Sequence, residues 1–133
     1  MIATSNFEEQ YVALRKSEQR LYTDEQVQRL PDIEALHPHY REWQLRKSSC
    51  DKLIEYLSNK NKTLDILEVG CGNGWLSGRL ASLRAVTITA TDINKTELSQ
   101  ARRLFEKKPN LSFKAGDIRS LYFDKKFDII FEM

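Results

Sequence analysis

Leu64 to Ser77 reads LDILEVGCGNGWLS, and the reading of this stretch decides the fold. Leu64, Ile66, Leu67 and Val69 have the apolar, partly β-branched character of a strand covered on both faces. Gly70, Cys71, Gly72, Asn73 and Gly74 then supply a turn, and Trp75 opens an apolar helical pattern. Three glycines at alternate positions leave no Cβ over the turn. A ligand can therefore lie against bare backbone and meet amide N–H groups where the helix begins.

Spacing narrows the ligand. A dinucleotide fingerprint asks for G-x-G-x-x-G, whereas Glu68 to Gly74 offers E-x-G-x-G-x-G. The third glycine of the dinucleotide pattern lets helix and strand pack closely. Counted from Gly70 its place is held by Trp75, and counted from Gly72 by Ser77. A phosphate-cradling P-loop needs a lysine at the helix start, and none occurs between Lys62 and Lys95.

The E-x-G-x-G-x-G stretch, with its acidic first residue, resembles the first motif of the class I S-adenosylmethionine-dependent methyltransferases. The resemblance runs from about Tyr40 to the last residue. It implies a Rossmann-like α/β fold, a doubly wound, mostly parallel sheet with strands in the order 3-2-1-4 and helices between them. It also implies roles: Gly70, Gly72 and Gly74 admit the methionine moiety, and Glu68 orients its ammonium.

Farther on, Ala85 to Thr91 alternates as a second strand, and Asp92 follows it, 24 residues beyond Glu68. A carboxylate fixed there can accept hydrogen bonds from both ribose hydroxyls of an adenosine. The plainer alternative is that Asp92 caps the helix that follows. In the family an apolar residue that packs on the adenine comes next, which here is Ile93. Thr96 to Phe105 is the next amphipathic helix, stopped by Pro109, and Leu111 to Ala115 a third strand. Gly116, Asp117 and Ile118 resemble the family's G-D-hydrophobic element, whose carboxylate meets the adenine amino group. Phe127 to Phe131 is a fourth strand.

Upstream, Phe7 to about Leu21 predicts a short amphipathic helix. Thr23 followed by Gln26 forms a capping box for a second one that ends before Pro31. From His39 to Ser58, Tyr40, Trp43, Arg46, Cys50, Leu53, Ile54 and Leu57 recur at helical spacing. In many class I methyltransferases a helix in this place lies over the cofactor, which makes Tyr40 and Arg46 candidates for its methionine end. The competing reading puts Trp43 in the core and Arg46 on the surface. Residues 1–62 are thus expected as a helical segment covering the cofactor side, and residues 63–133 as the N-terminal half of the cofactor-binding domain.

Composition excludes several classes. The chain has 133 residues, 41% of them hydrophobic, enough for one core. Its net charge is +2, with ten basic and ten acidic residues up to Lys62 and eleven and nine beyond, so no basic half marks a nucleic-acid binder. Cys50 and Cys71, with His37 and His39, give no metal-ligand spacing. Neither a signal peptide nor a membrane span is legible, and a cytoplasmic protein is the expectation.

The family's sheet has seven strands in the order 3-2-1-4-5-7-6, so the chain is expected to be a fragment holding the cofactor half. Strand order reverses between strands 1 and 4, and the ligand is expected outside their carboxyl ends, where Gly70 to Gly74 meet Glu132 and Met133. The cofactor implied is S-adenosylmethionine, with S-adenosylhomocysteine as product. No residue is assigned as general base, and the acceptor is expected to be a small molecule. A nicotinamide-dependent oxidoreductase and a non-catalytic cofactor-binding or interaction module are the rival classes. Phe127, Ile129, Ile130 and Phe131 suit a strand buried on both faces, so its unpaired side is expected to drive self-association.

Overall fold

The structure, a computed structural model, describes residues 2–132, with side chains from Phe7 onward. In chain order the elements are α1 (Ile2–Ser17), α2 (Asp24–Arg29), α3 (Tyr40–Ser58), β1 (Leu64–Val69), α4 (Trp75–Leu80), β2 (Val86–Asp92), α5 (Lys95–Phe105), β3 (Leu111–Ala115) and β4 (Ile129–Glu132). The four strands form one parallel sheet in the order β3-β2-β1-β4. Leu64 to Val69 register with Val86 to Thr91 on one side, and Ile66 to Val69 with Ile129 to Glu132 on the other. The expected fold class and strand order are what the structure has.

β1 sits in the middle and is buried accordingly, with Leu64, Ile66, Leu67 and Glu68 all inaccessible. Its core neighbours are Ile88 and Ala90 on β2, Leu76 and Leu80 on α4, and Leu98 on α5. A parallel sheet with crossover helices puts all its strand carboxyl ends at one edge, so the residues after Val69, Asp92 and Ala115 are gathered there by topology.

The N-terminal helices add a second cluster. Trp43 on α3 is buried between Tyr22 and Trp75, with edge-on ring contacts at 5.6 and 5.1 Å, and its indole N–H donates to the Tyr22 hydroxyl at 2.8 Å. The Thr23–Gln26 capping box is formed.

Boundaries differ from expectation in places. α1 begins at Ile2, upstream of the first apolar repeat, and ends at Ser17 instead of Leu21. Gln19 turns left-handed at φ +57°, and the Arg20 amide closes on the Arg15 carbonyl at 2.8 Å, a local stop that hydrophobic spacing does not encode. The apolar helical pattern that Trp75 opens is short, and α4 ends at Leu80. β4 starts at Ile129 instead of Phe127; at the rim the Asp65 amide donates to the Asp128 side chain at 2.8 Å instead of to a strand carbonyl. Met133, expected beside the ligand, lies outside the described residues.

Candidate cofactor-binding cleft

The first site residues come from the turn after β1. Gly70 and Gly74 hold left-handed backbone, φ +72° and +79°, which swings the chain from the strand edge into α4. Asn73, buried, accepts the Trp75 amide at 3.1 Å, a side-chain turn that leads into a helix of only six residues whose N-cap is Gly74. Cys71 is buried beside it, and burial pushes its thiol well above the ordinary value, which leaves it a packed side chain with no nucleophilic character.

Asp92 ties the turn to the next strand. One carboxylate oxygen accepts the Gly72 amide at 2.6 Å and the other the Asn94 amide at 2.7 Å. Asp92 thus braces the residue that opens α5 without being its cap, and its carboxylate also lines the cleft. Asn94 is the N-cap of α5, accepting from the Thr96 and Glu97 amides. Its side-chain N–H in turn donates to the Glu97 carboxylate at 3.0 Å.

Glu68 is 3% exposed and accepts a hydrogen bond from the Ser77 hydroxyl. Burial pushes its carboxyl up to about 7, against the opposing pull of that hydrogen bond. Glu97 is also buried and also raised by burial, with the Arg15 guanidinium at 3.0 Å opposing the shift.

Three hollows open at this edge, and Gly70 and Asp92 line all of them. The first, about 190 Å³, is bounded by Glu68, Gly70 to Asn73, Trp43, Arg46 and, from α1 and the turn after it, Tyr11, Arg15, Arg20 and Tyr22. The second, about 240 Å³, is bounded by Ile93, Gly116, Asp117, Ile118 and Arg119. The third, about 290 Å³, lies among Phe7, Glu8, Tyr11, Ile93, Asn94 and Glu132. Ile93 and Ile118 are 48% and 37% exposed, apolar surface facing the second hollow. Asp117 there accepts from the Arg119 amide and side chain at 2.9 and 3.0 Å, and the guanidinium holds its carboxyl down at about 2.

Most of the residues singled out from sequence thus meet in one place, and two do not. Tyr40 lies away from the cleft, in a separate hollow with Pro31, Asp32 and Lys47, and accepts from Gln44 at 3.0 Å. It sits in the first turn of α3, while Trp43 and Arg46, three and six residues on, face the site. Gly74 also fails to face the ligand space: a Cβ there would meet Ala101 at 2.8 Å and the Phe113 ring at 3.1 Å. Its bareness serves the packing of the turn against α5 and β3, the close approach that the dinucleotide fold assigns to its third glycine. Arg46 reaches the first hollow with its guanidinium 5.1 Å over the Trp43 ring.

Sequence reading missed Tyr11, Arg15, Arg20, Tyr22 and Glu97. Tyr11 and Arg15 stand at i and i+4 on α1, a same-face spacing that carried a usable signal. Nothing local announces the burial of Glu97. Among the described residues no three His, Cys, Asp or Glu side chains are grouped to hold a metal ion, and no helix is long and apolar enough to cross a membrane.

A doubly wound parallel sheet whose ligand cleft opens at the switch point between β1 and β4 defines a Rossmann-like nucleotide-type binding fold. The family described as "Methyltransferase domain" matches residues 66–133, and the chain belongs to it, among the class I S-adenosylmethionine-dependent methyltransferases. Malonyl-[acyl-carrier protein] O-methyltransferase 1 of Ilyobacter polytropus is 34% identical over 89 residues, covering 66% of this chain and 33% of that protein. The structure of a dimethyladenosine transferase from Plasmodium falciparum aligns with TM-score 0.52 and 29% identity, covering 65% of this chain and 31% of that one. Magnesium protoporphyrin IX methyltransferase from Synechocystis, determined with bound SAH, aligns with TM-score 0.62 and 20% identity over 76% of this chain and 48% of that one, a likeness of fold. The chain spans about a third of the length of the malonyl-[acyl-carrier protein] O-methyltransferases it matches.

Proposed function

We propose that the chain binds S-adenosylmethionine, and its product S-adenosylhomocysteine, along the three adjacent hollows, and that it forms the cofactor-binding part of an enzyme transferring the methyl group to a small or carrier-linked acceptor. The observation that carries this is the sharing of Gly70 and Asp92 by all three hollows, because a ligand with an amino-acid end, a ribose and a base needs one continuous cleft with the ribose at its centre.

The residues present fit such a ligand by their chemistry. Gly70 has no atom within 4 Å of an added Cβ, so the backbone there is open to close approach. Glu68, Cys71, Gly72 and Asn73 bound the amino-acid end, where the Glu68 carboxylate would orient the ammonium. Asp92 retains lone pairs for ribose hydroxyls beside its two backbone bonds. Ile93 and Ile118 offer apolar faces for the adenine and Asp117 an acceptor for its amino group, with Arg119 exchanging part of its bond. Glu132 closes the third hollow. The cofactor supplies a methyl group already activated by the adjacent positive sulfur, and what this chain adds is alignment and the exclusion of water. Residues 1–62 contribute the cover, through Tyr11, Arg15, Tyr22, Trp43 and Arg46.

The acceptor class rests on relatives named malonyl-[acyl-carrier protein] O-methyltransferase, which favour a small or carrier-linked acid over a macromolecular surface. No side chain is assigned as general base. The test is calorimetric titration of the chain with S-adenosylhomocysteine and, separately, NAD. Saturable 1:1 binding of the former is expected. Preference for NAD would return the chain to the oxidoreductase class. Binding without methyl transfer by the full-length protein would make it a non-catalytic module.

A further inference from the structure

We propose that Arg15 on α1 is the receptor for the ligand's amino-acid carboxylate, and that Glu97 holds its place until the ligand arrives. The inference rests on the cofactor reading above and deepens it.

An S-adenosyl amino acid brings one carboxylate into the first hollow, which is already lined by the carboxylates of Glu68, Asp92 and Glu97. A further anion in that company needs a cation with hydrogen bonds to spare. Three arginines line the hollow. Arg20 donates to Glu42 at 2.9 Å and lies 3.5 Å from Glu18. Arg46 donates to the other oxygen of Glu42 at 3.4 Å while stacked over Trp43. Both are engaged with a carboxylate of α3, outside the hollow.

Arg15 differs. Its Nη2 donates to Glu97 at 3.0 Å and to the Arg20 carbonyl at 3.3 Å, but its Nε–H is buried and, among the described residues, has no acceptor. Among the described residues it is the one buried side-chain donor in that condition, and such a group costs stability wherever nothing is meant to meet it. Nε and Nη2 lie on the same side of the guanidinium and present two parallel N–H groups, the fork that matches a carboxylate. A carboxylate taking that fork would satisfy the orphaned Nε and compete with Glu97 for Nη2 alone. Glu97 would keep its bond from Asn94 at 3.0 Å. Because Arg15 sits in the last turn of α1, the same bond would pin this helix over the cleft.

The decisive comparison is between S-adenosylmethionine and decarboxylated S-adenosylmethionine, which differ only in the group at issue. Wild type is expected to prefer the carboxylated ligand by about 10- to 100-fold, the span of a charge-assisted bidentate pair. Arg15→Gln is expected to abolish the preference by weakening only the carboxylated ligand, with the decarboxylated one bound as by wild type within about twofold. Arg15→Lys, which keeps the charge and loses the fork, is expected to retain part of the preference. A preference that survives Arg15→Gln overturns the assignment while the cofactor reading stands. Equal loss of both ligands in Arg15→Gln, with Arg15→Lys unchanged or equally lost, would make Arg15 a prop for α1 and also overturn it. Failure of both ligands to bind wild type would overturn the cofactor reading and this one together.

Discussion

Two glycines of one motif, four residues apart, are expected to fail in opposite ways when given a methyl group. Both hold left-handed backbone, so alanine at either is strained by about 1–2 kcal/mol. At Gly70 nothing lies within 4 Å of the added Cβ, and the strain is the whole of the damage to stability. At Gly74 the Cβ would stand 2.8 Å from the Ala101 Cβ and 3.1 and 3.2 Å from the Phe113 ring, contacts that require α5 or β3 to shift. Overpacking of this kind adds about 1–3 kcal/mol, for a total of about 2–5. Against a domain stability of about 5–15 kcal/mol, Gly74→Ala is a severe lesion and Gly70→Ala a mild one. Urea unfolding followed by the fluorescence of Trp43 and Trp75 measures both. The ranking should invert for ligand binding, since only the Gly70 methyl enters the cleft: Gly70→Ala should weaken S-adenosylhomocysteine in calorimetry while the fold survives. Equal destabilisation by the two variants, or a Gly74→Ala protein as stable as wild type, would refute the division of roles.

Asp92→Ala should weaken S-adenosylhomocysteine by about 1.5–3 kcal/mol, roughly ten- to hundredfold, the value of a hydrogen bond to a charged acceptor; unchanged affinity in calorimetry would remove Asp92 from the ribose site. Glu68 titrates near 7 when folded against an ordinary 4.5, so between those values the native state holds the extra proton. Its contribution is therefore fully present below about pH 4.5 and lost as pH rises through 7, a swing of about 3 kcal/mol in order of magnitude. Denaturant unfolding of Glu68→Gln and wild type from pH 5 to 8 should show the variant gaining relative stability with pH, and parallel profiles would contradict the buried, neutral-leaning carboxyl. On β4, Ile130 is 63% exposed beside an edge unpaired among the described residues, so the chain should self-associate at high concentration, and Ile130→Lys should reduce this. Light scattering after size exclusion reads both, and a wild-type monomer at high concentration would count against it.

What was legible in the sequence is what local chemistry controls. Thr23 and Gln26 announced their cap, and the apolar run from Leu64, the turn from Gly70 and the carboxylate at Asp92 announced strand, loop and second strand end. The strand order came with the family resemblance, and the parallel register then brought Asp92, Asp117 and Glu132 to one edge. What escaped depends on tertiary placement. Glu97 reads as an ordinary first-turn acid of a helix, yet it is buried and paired with Arg15 of α1, a partner far away in the chain. Gly74 reads like Gly70 and Gly72 by spacing, yet the space its Cβ would occupy is filled by side chains from two distant elements. Tyr40 shares a helix with Trp43 and Arg46, and the rotation of α3 that faces one residue to the cleft faces another away.

The central claim is that one ligand spans all three hollows from the amino-acid end to the base. Its most direct test is a titration of the isotopically labelled chain with S-adenosylhomocysteine, followed by the backbone amides of Gly70, Gly72 and Asn94 and the side-chain methyls of Ile93 and Ile118. All five should shift together along one saturation curve with a single Kd. Shifts confined to one hollow, separate curves for the glycine amides and the isoleucine methyls, or no shifts at all would contradict the account.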